Sequence, residues 1–184
     1  MAKRFDRHGR QGVLHYLTIN VRDRRQAFRS DAFARAAAIA LRRHCDEHPA
    51  KLIAYVIMPD HLHCIVNPRD GDITRWLAQF KPAVTLRVQE IAEAMRLSRI
   101  LDWLRTAQGT SSLWQDGKHN FHLYSERLIW QKIHYIHTNP IARGLAPTAA
   151  AYPYSSFRAM YAEEGEILIP IDCPFWWEDE LELG

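Results

Sequence analysis

Cysteine is scarce in this chain: three residues in 184 (Cys45, Cys64 and Cys173), odd in number and widely spaced. That excludes a disulfide framework and a CxxC metal knuckle, and it predicts reduced thiols in a cytoplasmic protein. Long hydrophobic runs are lacking too. No apolar stretch approaches the roughly 18 residues that a membrane span requires, so no membrane partner is expected. The basic opening MAKRFDRHGRQG has no apolar stretch behind it and does not read as a secretory signal. No internal repeat and no low-complexity linker is present. Apolar residues make up 47% and charged residues 24% of the chain. That balance excludes a disordered chain, a collagen-like fibre and a coiled coil, and leaves a globular domain with its own core.

What is there in plenty is positive charge, unevenly placed. Residues 1–45 hold eleven Lys and Arg against three acids, a balance of +8, whereas residues 161–184 hold eight acids and no Lys or Arg. Outside that last segment the chain carries 24 bases against 13 acids. A body this basic points to a polyanion such as nucleic acid, with solvated helix faces as the alternative. The composition shift predicts a domain over residues 1–160 and an acidic tail over 161–184, whose Trp176–Trp177 pair argues that it docks somewhere.

The apolar periodicity gives the element order. Val13 to Val21 is aromatic and β-branched and reads as a strand, followed by a charged turn, DRRQAF. Asp31 is a plausible N-cap of an Ala-rich helix running to about His48, ended by Pro49. Leu52 to Met58 is a nearly continuous apolar run, the pattern of a central strand covered on both faces. Pro59–Asp60 is a tight connection to a second strand, His61 to Val66. A long helical region spans about 73–97, interrupted or bent at Pro82. Amphipathic and extended segments follow, then a helix from Glu126 to about Ile136 that Asn139–Pro140 ends or kinks. The order β-α-β-β-α-β-α predicts an α+β fold: a ferredoxin-like antiparallel sheet with helices packed on one face and the other partly free for a ligand.

Two places carry chemistry. His61 and His63 flank Leu62 on a predicted strand, so their side chains share a face and can converge on one metal ion, while Leu62 and Cys64 point into core. The alternative is two histidines on a solvated strand face. In the block HYIHTNP, Tyr135 and Asn139 stand at i and i+4 and share a helix face if the helix persists that far. An amide oxygen can then be a third ligand, and a phenol beside a cation can be a nucleophile, although each residue alone is more often an ordinary helix residue. His134 and His137 lie on other azimuths and rank lower. The chemistry that fits the set is phosphoryl transfer to a tyrosine. An unaided phenol, with a pKa of ~10, is a poor nucleophile, and a divalent ion, Mg²⁺ or Mn²⁺, would polarise a phosphodiester beside it.

The hairpin YVIMPDHLHCIV (Tyr55 to Val66), the block YIHTNPIARGL (Tyr135 to Leu145), the YPYSSF segment (Tyr152 to Phe157) and WQDGKHNFH (Trp114 to His122) together resemble the single-tyrosine HUH transposases. Within them they look most like the REP-associated tyrosine transposases, a domesticated branch found in bacterial genomes. The similarity runs from about Leu14 to Phe157. It implies a ferredoxin-like fold, a divalent metal, and cleavage of single-stranded DNA folded into hairpins through a 5′-phosphotyrosine. Position by position it makes His61 and His63 the paired metal ligands, Tyr135 the nucleophile and Asn139 the third ligand. It also implies a cytoplasmic, nucleoid-associated protein, a monomer with a dimer as the alternative. The tail from Tyr161 onward has no counterpart in the resemblance.

DNA contact is expected from Arg4, Arg7 and Arg10 in the N-terminal arm and from Arg22, Arg24 and Arg25 on the turn after the first strand. Trp76, on the long helix, fits core better than a base-stacking platform. Two rival functions stay open. A non-catalytic DNA-hairpin-binding regulator would leave Tyr135 dispensable. A hydrolase that uses the histidines to activate water would form no protein–DNA adduct.

Overall fold

The computed structural model describes residues 14–106, 109–117 and 119–172. Arg4, Arg7, Arg10, Cys173 and Trp176–Trp177 lie outside them. Four strands, β1 (Leu14–Asn20), β2 (Ala50–Met58), β3 (His61–Pro68) and β4 (His119–Leu123), form one antiparallel sheet in the order β2-β3-β1-β4. This is the ferredoxin-like arrangement expected. The helices are α1 (Asp31–Glu47), α2 (Ile73–Ala94), α3 (Ser98–Leu104), α4 (Glu126–Ala142) and the short α5 (Phe157–Tyr161).

Strand alternation divides the core into two layers. Leu62, Cys64 and Val66 of β3 join Leu17 and Ile19 of β1 against Ala37 and Leu41 of α1 and Phe80 and Val84 of α2. Ile65 and Tyr16, of opposite parity, join Ile129, Ile133 and Ile136 of α4 on the other face. The second face is therefore covered by α4 over much of its length and partly free where Tyr16, Thr18, His61 and His63 line an open cleft. The apolar stripe of α4 has to be buried; the sheet end at the start of β3 stays open, and Phe121 on the edge strand β4 is exposed.

Three local expectations shift. Ser30, rather than Asp31, is the N-cap residue of α1; Asp31 opens the helix and bonds Arg35 and Tyr154. Both proline-bearing helices continue through their prolines. In α4 the backbone bond from Arg143 N to Asn139 O (3.0 Å) resumes the ladder past Pro140, so Asn139 is helical. One missing N–H costs less than unburying a stripe that packs on both sides of it. Finally, β2 is an edge strand, although it is buried along Leu52–Met58. Its continuous apolar run reflects another cover: the chain after α4 returns along that edge. Ile57 N donates to Tyr154 O (2.8 Å), Ser156 N to Tyr55 O (3.0 Å) and Asp172 N to Leu52 O (2.8 Å). An edge sealed this way is closed to pairing with another chain.

Candidate active site

β2 and β3 join through Pro59–Asp60, with Met58 opposite His61. The turn is pinned from the loop after β1: Val21 N donates to Asp60 O (2.9 Å) and Phe28 N to Pro59 O (3.0 Å). His61 and His63 follow on the α4 face, ring centroids 4.6 Å apart, both almost fully buried. Leu62 and Cys64 lie on the opposite face in the core, as the alternation predicts.

Each imidazole has one nitrogen held. Asp60 Oδ1 lies 2.6 Å from His61 Nδ1. A carboxylate accepts, so Nδ1 carries the proton and Nε2 keeps its lone pair. Asp60 is itself held by Arg24 at 2.9 Å. His63 Nδ1 lies 2.9 Å from Tyr16 Oη and 3.0 Å from Thr18 Oγ1. His63 Nε2 is buried with no hydrogen-bond partner. Burial, with His61 close by, pushes the His63 imidazole down to about 3, and burial also lowers His61, against the pull of Asp60. Both rings are therefore neutral at physiological pH, the state in which imidazole binds metal. An orphaned ring nitrogen beside a second imidazole aligned by a carboxylate is a donor set that suits a divalent cation. Among the described residues no group of three His, Cys, Asp or Glu side chains gathers.

α4 brings the phenol. Ser125 caps it, accepting from Leu128 N (3.4 Å), and the buried Ile129, Ile133 and Ile136 orient it. The Tyr135 ring stands 5.4 Å from His63 and 6.3 Å from Tyr16, with 47% of the residue exposed. Lys132, one turn earlier, places Nζ over Tyr16, Phe121 and Tyr135, at 4.7, 5.7 and 5.7 Å from the ring centroids. Tyr16, Thr18, Arg24, His61, His63, Lys132, Tyr135 and Arg143 line an open cleft of about 380 Å³. Asn139 is buried on the stripe between Tyr135 and Arg143 and is not among the lining side chains. His137 is in the core, bonded to Ser156 Oγ (2.8 Å), and His134 is exposed. A larger groove, about 560 Å³, sits at the far end of the β2–β3 hairpin, where Arg75 is paired with Asp70.

The candidate DNA-contacting arginines that the structure describes are all engaged. Arg22 and Arg25 lie over the Trp103 ring at 5.1 and 5.3 Å, and Arg24 spends its charge on Asp60. Trp76 is core, stacked on Phe80 at 5.0 Å. Sequence reasoning missed Tyr16, Thr18, Asp60, Lys132 and Arg143. Lys132 and Arg143 were findable, three residues before and eight after Tyr135 on one helix stripe. Tyr16 and Thr18 were not, because the register that sets Thr18 opposite His63 is tertiary.

The ferredoxin-like sheet thus carries paired histidines at its open end, faced by a helix-borne tyrosine in a cleft that Arg24, Lys132 and Arg143 also line. The particular family follows from comparison: the profile of the IS200-like transposases matches residues 11–139, and the chain belongs to that family. It is similar to the REP-associated tyrosine transposase of Escherichia coli K12, 25% identical over 167 residues that cover 88% of this chain and 85% of that one. A Haemophilus influenzae protein provisionally given the same name is 23% identical over 147 residues, 80% of this chain and 81% of that one. Among solved structures, a REP-associated tyrosine transposase bound to a REP hairpin shares the fold, with a TM-score of 0.62 and 23% identity over 89% of this chain and 86% of that one. No helix among the described residues is long and apolar enough to cross a membrane.

Proposed function

We propose that this transposase is a single-strand DNA endonuclease and strand-transferase of the HUH type, acting on hairpin-forming repeats through a covalent 5′-phosphotyrosine on Tyr135. The observation that carries the reading is the Tyr135 ring 5.4 Å from the imidazole of His63, whose Nε2 is buried and unpartnered, in a cleft lined by cations. The hairpin ligand is supported by the REP hairpin in the related solved structure. His61 and His63 would hold Mg²⁺ or Mn²⁺, with Asn139 as a third ligand on spacing alone. Bound there, the ion supplies Lewis-acid neutralisation of phosphodiester charge.

The chain's own residues do the rest. Asp60 and the Tyr16–Thr18 pair fix the two imidazoles, and α4 presents the phenol. The Tyr135 oxygen bonds to phosphorus as the bond from phosphorus to the 3′ oxygen breaks. The phenol proton leaves to solvent, and the 3′ oxygen takes one up. The tyrosyl phosphodiester conserves the energy of the broken bond, so a strand end can reverse the step and be rejoined. Arg4, Arg7, Arg10, Arg22 and Arg25 would track phosphates outside the cleft, while Arg24 acts through Asp60. A catalytic domain over 1–160 with an acidic tail over 161–184, working as a monomer in the bacterial cytoplasm, completes this reading.

The test is a covalent-adduct assay with labelled single-stranded hairpins, with Mg²⁺ or Mn²⁺ and with chelator, on a denaturing gel. A metal-dependent shifted band that disappears in Tyr135→Phe is expected. Cleavage without a band points to water activation. Binding without cleavage across a broad library points to a DNA-hairpin regulator and overturns the enzyme reading.

A further inference from the structure

The charges in the cleft do not balance. Asp60 is its one neighbouring acid among the described residues, and it is spent twice, on Arg24 and on His61. Lys132 and Arg143 remain, and among the described residues neither has a carboxylate at ion-pair distance. On α1 and α2, by contrast, Arg35, Arg42, Arg43, Arg75 and Arg87 each pair with an acid.

Lys132 is the more telling of the two. It is half-buried, and its ammonium is surrounded by the faces of three aromatic rings. Ring faces offset part of the desolvation of a cation but bring no compensating charge. Such a group is prepared for an anion, because attraction is stronger where water is already excluded and no reorganisation is needed on binding. Three residues before Tyr135 on the same helix, it projects toward the side from which the phenol meets its substrate. It also sits over the exposed ring of Phe121, a π-face beside the same spot, on which an unpaired base can stack.

We infer that Lys132 binds the scissile phosphodiester and holds it against Tyr135, with the neighbouring unpaired base over Phe121. This rests on the tyrosine-nuclease reading above. It makes Lys132 a substrate-contacting residue rather than a cation–π strut of the fold.

The experiment first uses the unmodified chain to map the cleavage position from its adduct. Binding is then measured in chelator with Tyr135→Phe, which keeps the hairpin intact. Two hairpins are compared: one native, one with a neutral methylphosphonate at the mapped linkage. Adding Lys132→Met, which keeps the aliphatic stem, is expected to weaken binding to the native hairpin about tenfold. It should also reduce the slope of log affinity against log salt by about 0.7, the value for one contact to a single strand. On the methylphosphonate hairpin the two proteins should bind equally, and Lys132→Arg should restore most of the native affinity. Lys51→Met, on an exposed residue at the far end of β2, should change nothing. Equal binding of the two proteins to native DNA overturns the inference. So does a loss that persists on the neutral linkage, which would place Lys132 at another phosphate or in the fold alone. If the unmodified chain forms no adduct with any hairpin, the tyrosine-nuclease reading itself has failed, and the inference falls with it.

Discussion

Helix α1 and the cleft beside Tyr135 are both rich in cations, but the cations differ in their partners. On α1, Arg35 is gripped by both oxygens of Glu166 (2.7 and 3.0 Å) as well as by Asp31. Arg42 bonds Asp172 (2.8 Å) and Asp46 (2.7 Å), and Arg43 bonds Glu47. Glu166 and Asp172 belong to the acidic segment that follows α5, so part of the charge asymmetry seen in the sequence is an internal clamp. In the cleft, Lys132 and Arg143 face rings and imidazoles instead. A segment's net charge therefore says little about which of its charges are left without an acid. The segment that neutralises α1 also seals the edge of β2, because Asp172 Oδ2 accepts from Leu52 N (2.7 Å) while it holds Arg42.

The contrast predicts that damage in the cleft affects activity and damage on the α1 side affects stability. The largest effect is expected from Asp60→Asn, which keeps the shape of the turn but loses the charge that aligns His61 and ties down Arg24. Metal-dependent adduct formation should fall about 10–100-fold, the usual cost of losing a carboxylate behind a ligating histidine. Binding of hairpin DNA in chelator should not change, and equal losses in both assays would erase the distinction. Next, Asp172→Ala removes the acceptor of the buried Leu52 N–H and one partner of Arg42. Denaturant titration should show a loss of about 2 kcal/mol, with adduct formation by the folded protein intact.

A third effect is acid sensitivity on the α1 side. His44 is buried, and its Nε2–H donates to the Trp76 carbonyl (3.0 Å). Burial pushes the imidazole down to about 4, against about 6.5 in the unfolded chain. Between these values the unfolded chain takes up the proton and the folded one does not. The stabilisation is thus complete above about 6.5 and declines as pH falls toward 4. Thermal melts across that window should show the decline, and His44→Gln should make it shallower. The smallest effect is expected from Glu166→Gln. Both partners of its bridge to Arg35 are solvent-exposed, and such pairs contribute little. Neither the melting temperature nor the salt dependence of DNA binding should move measurably; a change in that salt dependence would show that Arg35 reaches the DNA.

Much of the site is legible in the chain because its parts are local. His61 and His63 share a face by strand alternation, and Pro59–Asp60 marks the turn before them. The Tyr135–Asn139 pair depended on whether the helix survives Pro140, which the local signal left open. Proline's cost is local, whereas the stripe of Ile129, Ile133 and Ile136 that outweighs it gains its energy from the sheet. The edge position of β2 was misread for a related reason. A continuous apolar run reports burial without saying whether helices, strands or a returning segment provide it.

The sequence by itself determined the periods: two for the strand that aligns the histidines, and 3.6 for the helix that sets Lys132 and Tyr135 on one stripe. Those follow from bond geometry between neighbours and need no fold. Only the tertiary structure decided that Thr18 and Tyr16 meet His63, that Asp172 neutralises Arg42 130 positions away, and that Lys132 has rings rather than acids around it. Burial, proton affinity and charge compensation depend on distances between residues remote in the chain, and packing alone sets those distances.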